Sequence, residues 1–340
     1  MKTNILTLIT IATAILLTSC EKEIEFNGEQ SDPKLVVNSL VEPDQRVKAY
    51  ISKSYFFLDT PNTTAPDDLV ASLYVNGNLV GEMTPFMDTV WGMWEDDYYC
   101  FPAYYNDYRA QDGDIIQITA TANGFDEAEG STSPLPQVAD CQMDVEVIRW
   151  SGWYQHSYNF DTQEYEEDSI WDVLGQLELT FTITDPNPGK TDYFRLIANG
   201  GKGHYGMGNW YYIGFDYDDP IFGASVSENE LIDISDLDTR PEGVFTDLLF
   251  DGGTYRLKVK VSFECTVAEE FDPDFFTVPF MLEHLSKEYY NYINTCDQGD
   301  VALQIWAEPI QTYSNVTNGF GIVAGKAVNT KRLELPIEEP

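Results

Sequence analysis

Leu177-Glu178-Leu179-Thr180-Phe181-Thr182-Ile183-Thr184 alternates apolar with polar residues without a break. A period of two is the signature of a β-strand with one face in a core and the other turned away from it. The run stops at Asp185-Pro186, where proline has no N–H to give to a ladder. Downstream, Tyr193 to Ala198 reads as a partner strand, with Asn199-Gly200-Gly201 as a turn. Tyr255 to Phe263 alternates apolar with polar and basic residues in the same manner. Upstream, Met143 to Trp150 is a further strand. The stretch from Ser151 to Asp172 is polar, acidic and aromatic, and its acids place it outside a core.

The N-terminal half repeats this β character. Lys34 to Leu40 and Val47 to Ser54 are short β-branched runs. Leu69 to Val75 meets Asn76-Gly77-Asn78 and resumes at Leu79-Val80, a hairpin signal because Asn-Gly tolerates positive φ. Asp112-Gly113-Asp114 precedes the strand Ile115 to Ala122. These spacings predict an all-β chain: an immunoglobulin-like sandwich over residues 32–136, then a larger β-sandwich-like domain over 137–340. Pro134-Leu135-Pro136 serves as the stiff link. One short helix is expected, Ser286 to Asn294, with Ser286 as its N-cap and its tyrosines packed on the sandwich.

Residues 1–19 read as a leader. Lys2 gives the positive start, and Ile5 to Leu17 is an apolar and threonine stretch, well short of the ~20 residues that span a bilayer. It ends in Leu17-Thr18-Ser19-Cys20, the order read by lipoprotein processing, so Cys20 is the expected lipidated first residue of the mature chain. Glu21, Lys22, Glu23 and Glu25 then form an acidic export signal within a tether over 20–31. A solvated linker would have the same composition. The acidic segment resembles the lipoprotein export signal of Bacteroidota, and that resemblance implies an outer-membrane protein, lipid-anchored and facing the cell exterior.

The chain has 340 residues, a formal charge of −38, and 7 Trp, 21 Tyr and 19 Phe. Such a charge excludes nucleic acid, whose binding rests on neutralising phosphates. It also leaves membrane attachment to the lipid, and its ordinary use is solubility. Besides Cys20 there are Cys100, Cys141, Cys265 and Cys296. An even number in an exported chain suggests two disulfides. Of three connectivities, Cys100–Cys141 with Cys265–Cys296 is the expected one.

The order of several motifs is similar to one known family. They are the lipobox, Pro33-Lys34-Leu35-Val36-Val37-Asn38, the Gly113-Asp114 strand, and Thr184-Asp185-Pro186 before Tyr193-Phe194-Arg195. The Leu285 to Tyr292 helix and Ser314-Asn315-Val316 before Gly319-Phe320-Gly321-Ile322-Val323 complete the set. In this order they resemble the Bacteroidota lipoproteins called domain of unknown function 4249. The resemblance implies a gene beside a TonB-dependent outer-membrane transporter; it supplies no catalytic residues. The insertion around 151–172 and the acidic loop around 216–238 depart from the pattern.

The sequence carries few motifs of chemistry. His156, His204 and His284 form no HxxxH pair, and no GxSxG elbow, Walker loop or post-strand GxGxxG occurs. Paired acids are plentiful but carry little weight among 57. Asp216, Asp218 and Asp219 are a weak candidate for calcium, which takes several carboxylate oxygens. Aromatic groups around Trp91, Trp94, Trp153 and Trp210 are candidates for a ligand- or partner-binding surface. The expected function is therefore a non-enzymatic accessory or ligand-binding partner of a TonB-dependent transporter, needing no cofactor. The alternatives are cell-surface adhesion or assembly and, behind it, a glycan or peptide hydrolase.

Overall fold

The computed structural model describes residues 32–55, 64–91, 98–159, 164–198, 204–206, 209–223, 243–267, 276–296 and 312–337. In chain order the N-terminal strands are β1 (Leu35–Val41), β2 (Arg46–Lys53), β3 (Val70–Val75) and β4 (Asn78–Glu82). They continue with β5 (Thr84–Trp91), β6 (Tyr98–Arg109), β7 (Ile116–Thr121) and β8 (Ala128–Ser131). Next come β9 (Cys141–Asn159), β10 (Glu164–Thr184), β11 (Tyr193–Ala198), β12 (His204–Gly206) and β13 (Asn209–Asp216). After these follow β14 (Val244–Thr246), β15 (Thr254–Val267), β16 (Thr277–Leu285), helix α1 (Lys287–Cys296), β17 (Val316–Thr317) and β18 (Phe320–Glu334).

The chain is mostly β-strand, in three sheets and with one short α-helix among the described residues. An eight-stranded sheet runs β14-β11-β16-β18-β1-β2-β6-β5, and two five-stranded sheets run β12-β13-β15-β10-β9 and β17-β8-β7-β3-β4. The long sheet is antiparallel except where β1 and β18 pair in parallel, Val36 opposite Phe320 through Val41 opposite Gly325. That pairing joins residues from either side of position 136 in one sheet.

Alternation decides which faces are covered. In β10, Val173, Leu177, Leu179, Phe181 and Ile183 are buried, and they meet Phe194, Leu196, Phe280 and Leu282 of the long sheet in one core. In β1 and β2, Leu35, Val37, Val47, Ala49 and Ile51 meet Leu73, Ile116 and Ile118 in a second core. Val323 belongs to that second core and Leu333 to the first. The two residues lie an even number of positions apart on β18, so both small sheets cover the same face of the long one. On β16 and β11 the opposite parity, Leu285 and Tyr193, packs against Tyr290 and Ile293 of α1. The helix therefore sits on the other face, where Tyr193 and Tyr290 place their ring centroids 4.5 Å apart.

Local signals are met where they were strong. Asn76 and Gly77 take φ of 51° and 78° and close the β3–β4 hairpin, a conformation that glycine and asparagine adopt at least cost. Ser286 caps α1, accepting the Tyr289 N–H at 3.4 Å on its Oγ. Gly175 of β10 faces Phe263 of β15, and any Cβ at position 175 would overlap that ring.

The expected disulfides are absent: Cys100, Cys141, Cys265 and Cys296 are all free thiols. Of the expected pair Cys100–Cys141, Cys100 is exposed on β6 while Cys141 is buried in the larger core. Cys141 lies opposite Ile183 and Cys265 opposite Val173 on β10, about 33 Å apart along the strand at ~3.3 Å per residue. Cys296 ends the helix on the far face of the long sheet, away from the core that buries Cys265. Cys100 is exposed on β6, with Thr89 Oγ1 3.8 Å from its Sγ. Burial pushes the Cys141 thiol up to about 11 and the Cys265 thiol up to about 12, so neither offers a thiolate near neutral pH.

Candidate functional site

The strongest concentration of chemistry lies at one end of the larger core, where two loops meet. The first leaves β10 as Asp185-Pro186-Asn187 and reaches Asp192 just before β11. The second follows β14 as a short 3-10 turn, Asp247–Leu249, and then Asp251-Gly252-Gly253 leads into β15. The loops are tied to each other through backbone groups. Asp185 N–H donates to Gly253 O at 3.0 Å, and Asp247 N–H to Asp192 O at 3.2 Å. Asp185 accepts the Asn187 N–H at 2.8 Å and the Gly252 N–H at 2.5 Å, while Asp251 accepts the Gly189 N–H at 2.6 Å.

One carboxylate oxygen each from Asp185, Asp247 and Asp251 lies within 4.8 Å of the others. Asp185 and Asp247 are buried and Asp251 is exposed. Asp247 is only 2% exposed, and its Oδ2 has no hydrogen-bond partner. Burial, together with the negative charges of Asp192, Asp185 and Asp251, pushes the Asp247 carboxyl up to about 6. Asp192 behaves oppositely. Burial would raise it, but the His284 ring and the Asn187 side chain hold it below the usual carboxylate range. His284 Nε2 lies 3.2 Å from Asp192 Oδ1, and its Nδ1 lies 2.8 Å from Gln137 O. Both ring nitrogens thus face oxygen. A cluster of this composition, all carboxylate among its three converging groups, suits a hard cation.

A second feature occupies the outer face of the long sheet. Leu40, Arg46 and Lys48 alternate with the core residues of β1 and β2, and with Phe86, Tyr105 and Arg109 they line a cleft of about 760 Å³. Arg46 lies over the Tyr105 ring, 5.8 Å from its centroid, and pairs with Asp107 at 3.2 Å. Arg109 donates to Asp44 O at 2.6 Å. Lys48 and Tyr50 both donate to Asp88 Oδ2, at 2.6 and 2.5 Å, and hold that carboxyl below its ordinary range. Three cations line this cleft together with Glu42 and Gln45, in a chain with only 19 Lys and Arg.

A third feature is β9, the edge of its sheet. Val145, Val147, Ile148 and Trp153 are all more than two-fifths exposed there. Val145 and Val147 lie opposite Leu179 and Leu177 and so share the core-side face, yet they remain 43% and 50% exposed.

The residues singled out from sequence are dispersed. Cys20, Glu21, Lys22, Glu23, Glu25 and Trp94 lie outside the described residues, as do the side chains of Trp91 at the end of β5 and Trp210 on β13. Trp153 is exposed on β9, opposite Asp172. Asp216 and Asp218 are exposed. Asp219 is committed locally, accepting from Ile221 N–H, Tyr255 OH and Lys258 N–H at 3.0, 2.7 and 3.1 Å. None of the three joins the aspartate cluster, and Asp247 and Asp251 had not been singled out. The available signal was two Asp-bearing turns, Asp185-Pro186 and Asp251-Gly252-Gly253. That they meet was hidden because Tyr193 to Ala198, the expected partner of Leu177 to Thr184, pairs instead with β14 and β16, while β10 pairs with β15 and β9.

Comparison with known proteins places residues 21–332 on the family model described as Domain of unknown function (DUF4249). No curated protein and no solved structure matches the chain.

Proposed function

The chain belongs to the DUF4249 family, and from that premise we propose a surface-exposed outer-membrane lipoprotein that serves, without catalysis, as accessory or ligand-binding partner of a TonB-dependent transporter. The observation that carries this reading is the match over nearly the whole mature chain, directly after Leu17-Thr18-Ser19-Cys20. Lipid on Cys20 holds the protein at the membrane, and the acidic Glu21 to Glu25 segment directs it outward. The N-terminal core between β1–β2 and β3–β7–β8 is the immunoglobulin-like sandwich in this reading, a scaffold for contact surfaces.

The cleft of Arg46, Lys48 and Arg109 supports a ligand role. Its cations beside Phe86 and Tyr105 favour an anionic ligand with a planar or apolar part. A second reading, an assembly or adhesion protein, draws support from β9. A long edge strand with exposed valines and an exposed tryptophan is suited to pairing with another chain.

The test is a pull-down of the tagged, lipidated protein from detergent-solubilised outer membranes, with partners identified by mass spectrometry. One TonB-dependent transporter recovered in near-equal amount is expected. Recovery of the lipoprotein alone would move the assignment to adhesion or assembly.

A further inference from the structure

We propose that Asp185, Asp247 and Asp251 form a calcium site that clamps the β10–β11 loop to the β14–β15 loop. The three carboxylate oxygens lie within 4.8 Å of one another. Calcium binds oxygen at ~2.3–2.6 Å, so ligands on opposite sides of one ion stand roughly 4.6–5.2 Å apart. The observed spacing fits inside that span.

Proximity of acids alone would not suffice. The independent observation is Asp247 Oδ2, an oxygen of a side chain 98% buried (2% exposed) with no partner of its own. A buried polar oxygen left unpaired costs roughly 1–3 kcal/mol, more when charged, and native structures seldom retain one without a reason. A cation between the three carboxylates supplies the missing partner and cancels their mutual repulsion.

The surroundings prepare the site. Both oxygens of Asp185 accept backbone N–H groups, and Asp251 accepts one from Gly189, so these carboxylates are oriented before an ion arrives. Asp251 is exposed and gives a route from solvent. Asp192 is engaged by Asn187 and His284, and His284 by Gln137, leaving no nitrogen or sulfur ligand among the three converging groups. Softer metals are therefore disfavoured. Three converging carboxylates suit calcium, which gathers many protein oxygens in a flexible shell, better than magnesium, which keeps several waters and takes one or two carboxylates. The clamp is independent of the transporter reading and stands or falls without it.

The experiment uses the full mature chain in detergent, stripped with EDTA and titrated with CaCl2 or MgCl2 by calorimetry and by thermal unfolding. Saturable binding of one calcium per chain is expected, with a melting temperature that rises with calcium concentration. Asp251→Asn, at an exposed position that folding tolerates, weakens calcium binding by about tenfold or more. Asp218→Asn removes an equal charge outside the cluster and leaves it unchanged. Absence of binding at millimolar calcium overturns the proposal, as does an Asp251→Asn variant that binds like the parent. An equal loss in Asp218→Asn shows diffuse screening instead of a site, and an equal response to magnesium overturns the assignment to calcium.

Discussion

Asp247→Asn should stabilise the protein in chelator, an unusual sign for a substitution at a buried polar position. The Asp247 carboxyl sits at about 6 against an ordinary 3.8, raised by burial and by Asp192, Asp185 and Asp251. The folded state therefore holds this proton more tightly than the unfolded chain does. Folding stability falls as pH climbs from about 4 through 6, and the full loss is present above that. A shift of roughly two units at ~1.4 kcal/mol each amounts to ~3 kcal/mol. Asparagine cannot ionise, so in EDTA at pH 7.5 the variant should gain ~2–3 kcal/mol, with the gain shrinking toward zero near pH 4. At an m-value of ~3 kcal/mol/M the urea midpoint rises by about 1 M. Paired urea titrations of parent and variant at both pH values read this directly. A variant less stable than the parent at pH 7.5 in EDTA would refute the reasoning, since it would mean the ionised carboxylate is satisfied in the folded state.

Lys326 pairs with Glu283 at 2.5 Å and lies 3.6 Å from Glu42, with the Glu283 side chain 2% exposed. Lys326→Met should cost ~3–5 kcal/mol in urea unfolding by leaving that buried carboxylate unpaired, and Glu283→Met in the same chain should restore most of it. Gly175→Ala forces a methyl into the Phe263 ring; it should cost ~1–3 kcal/mol, read as a lower melting temperature. Native alkylation should modify Cys100 and Cys296, with Cys141 and Cys265 reacting only in denaturant, and dithiothreitol should leave the melting temperature unchanged. A melting temperature that drops in dithiothreitol would restore the disulfides.

Local patterns carried most of what the sequence revealed. The strand at Leu177 to Thr184, the Asn76-Gly77 hairpin and the Ser286 cap each depend on residues within a few positions of one another, and each was legible. The pairing of β1 with β18 joins Val36 to Phe320, and no local signal encodes a partner so distant. The extent of β9 and β10 was hidden because Ser151 to Asp172 lacks the core alternation, yet β9 runs to Asn159 and β10 begins at Glu164, with Glu164 to Glu167 opposite His156 to Asn159. The cysteine count suggested Cys100–Cys141 and Cys265–Cys296, but only the topology separates exposed Cys100 from buried Cys141, and Cys296 at the helix end from the core that buries Cys265. The aspartate cluster was missed for a similar reason: Asp185 and Asp247 converge through two loops, and an abundance of acids masked the few that are buried. Of the residues expected to bind, Trp153 is exposed on β9, and its place in function rests on the experiments above.

The central claim, a lipid-anchored protein on the outer face of the cell, is tested most directly at Cys20. Mass spectrometry of the mature N-terminal peptide, with protease treatment of intact cells, should find diacylglyceryl-modified Cys20 as the first residue and should degrade the protein without lysis. Cys20→Ala should lose both the lipid and membrane association. An unmodified Cys20, or a protein protected until the outer membrane is broken, would contradict the account.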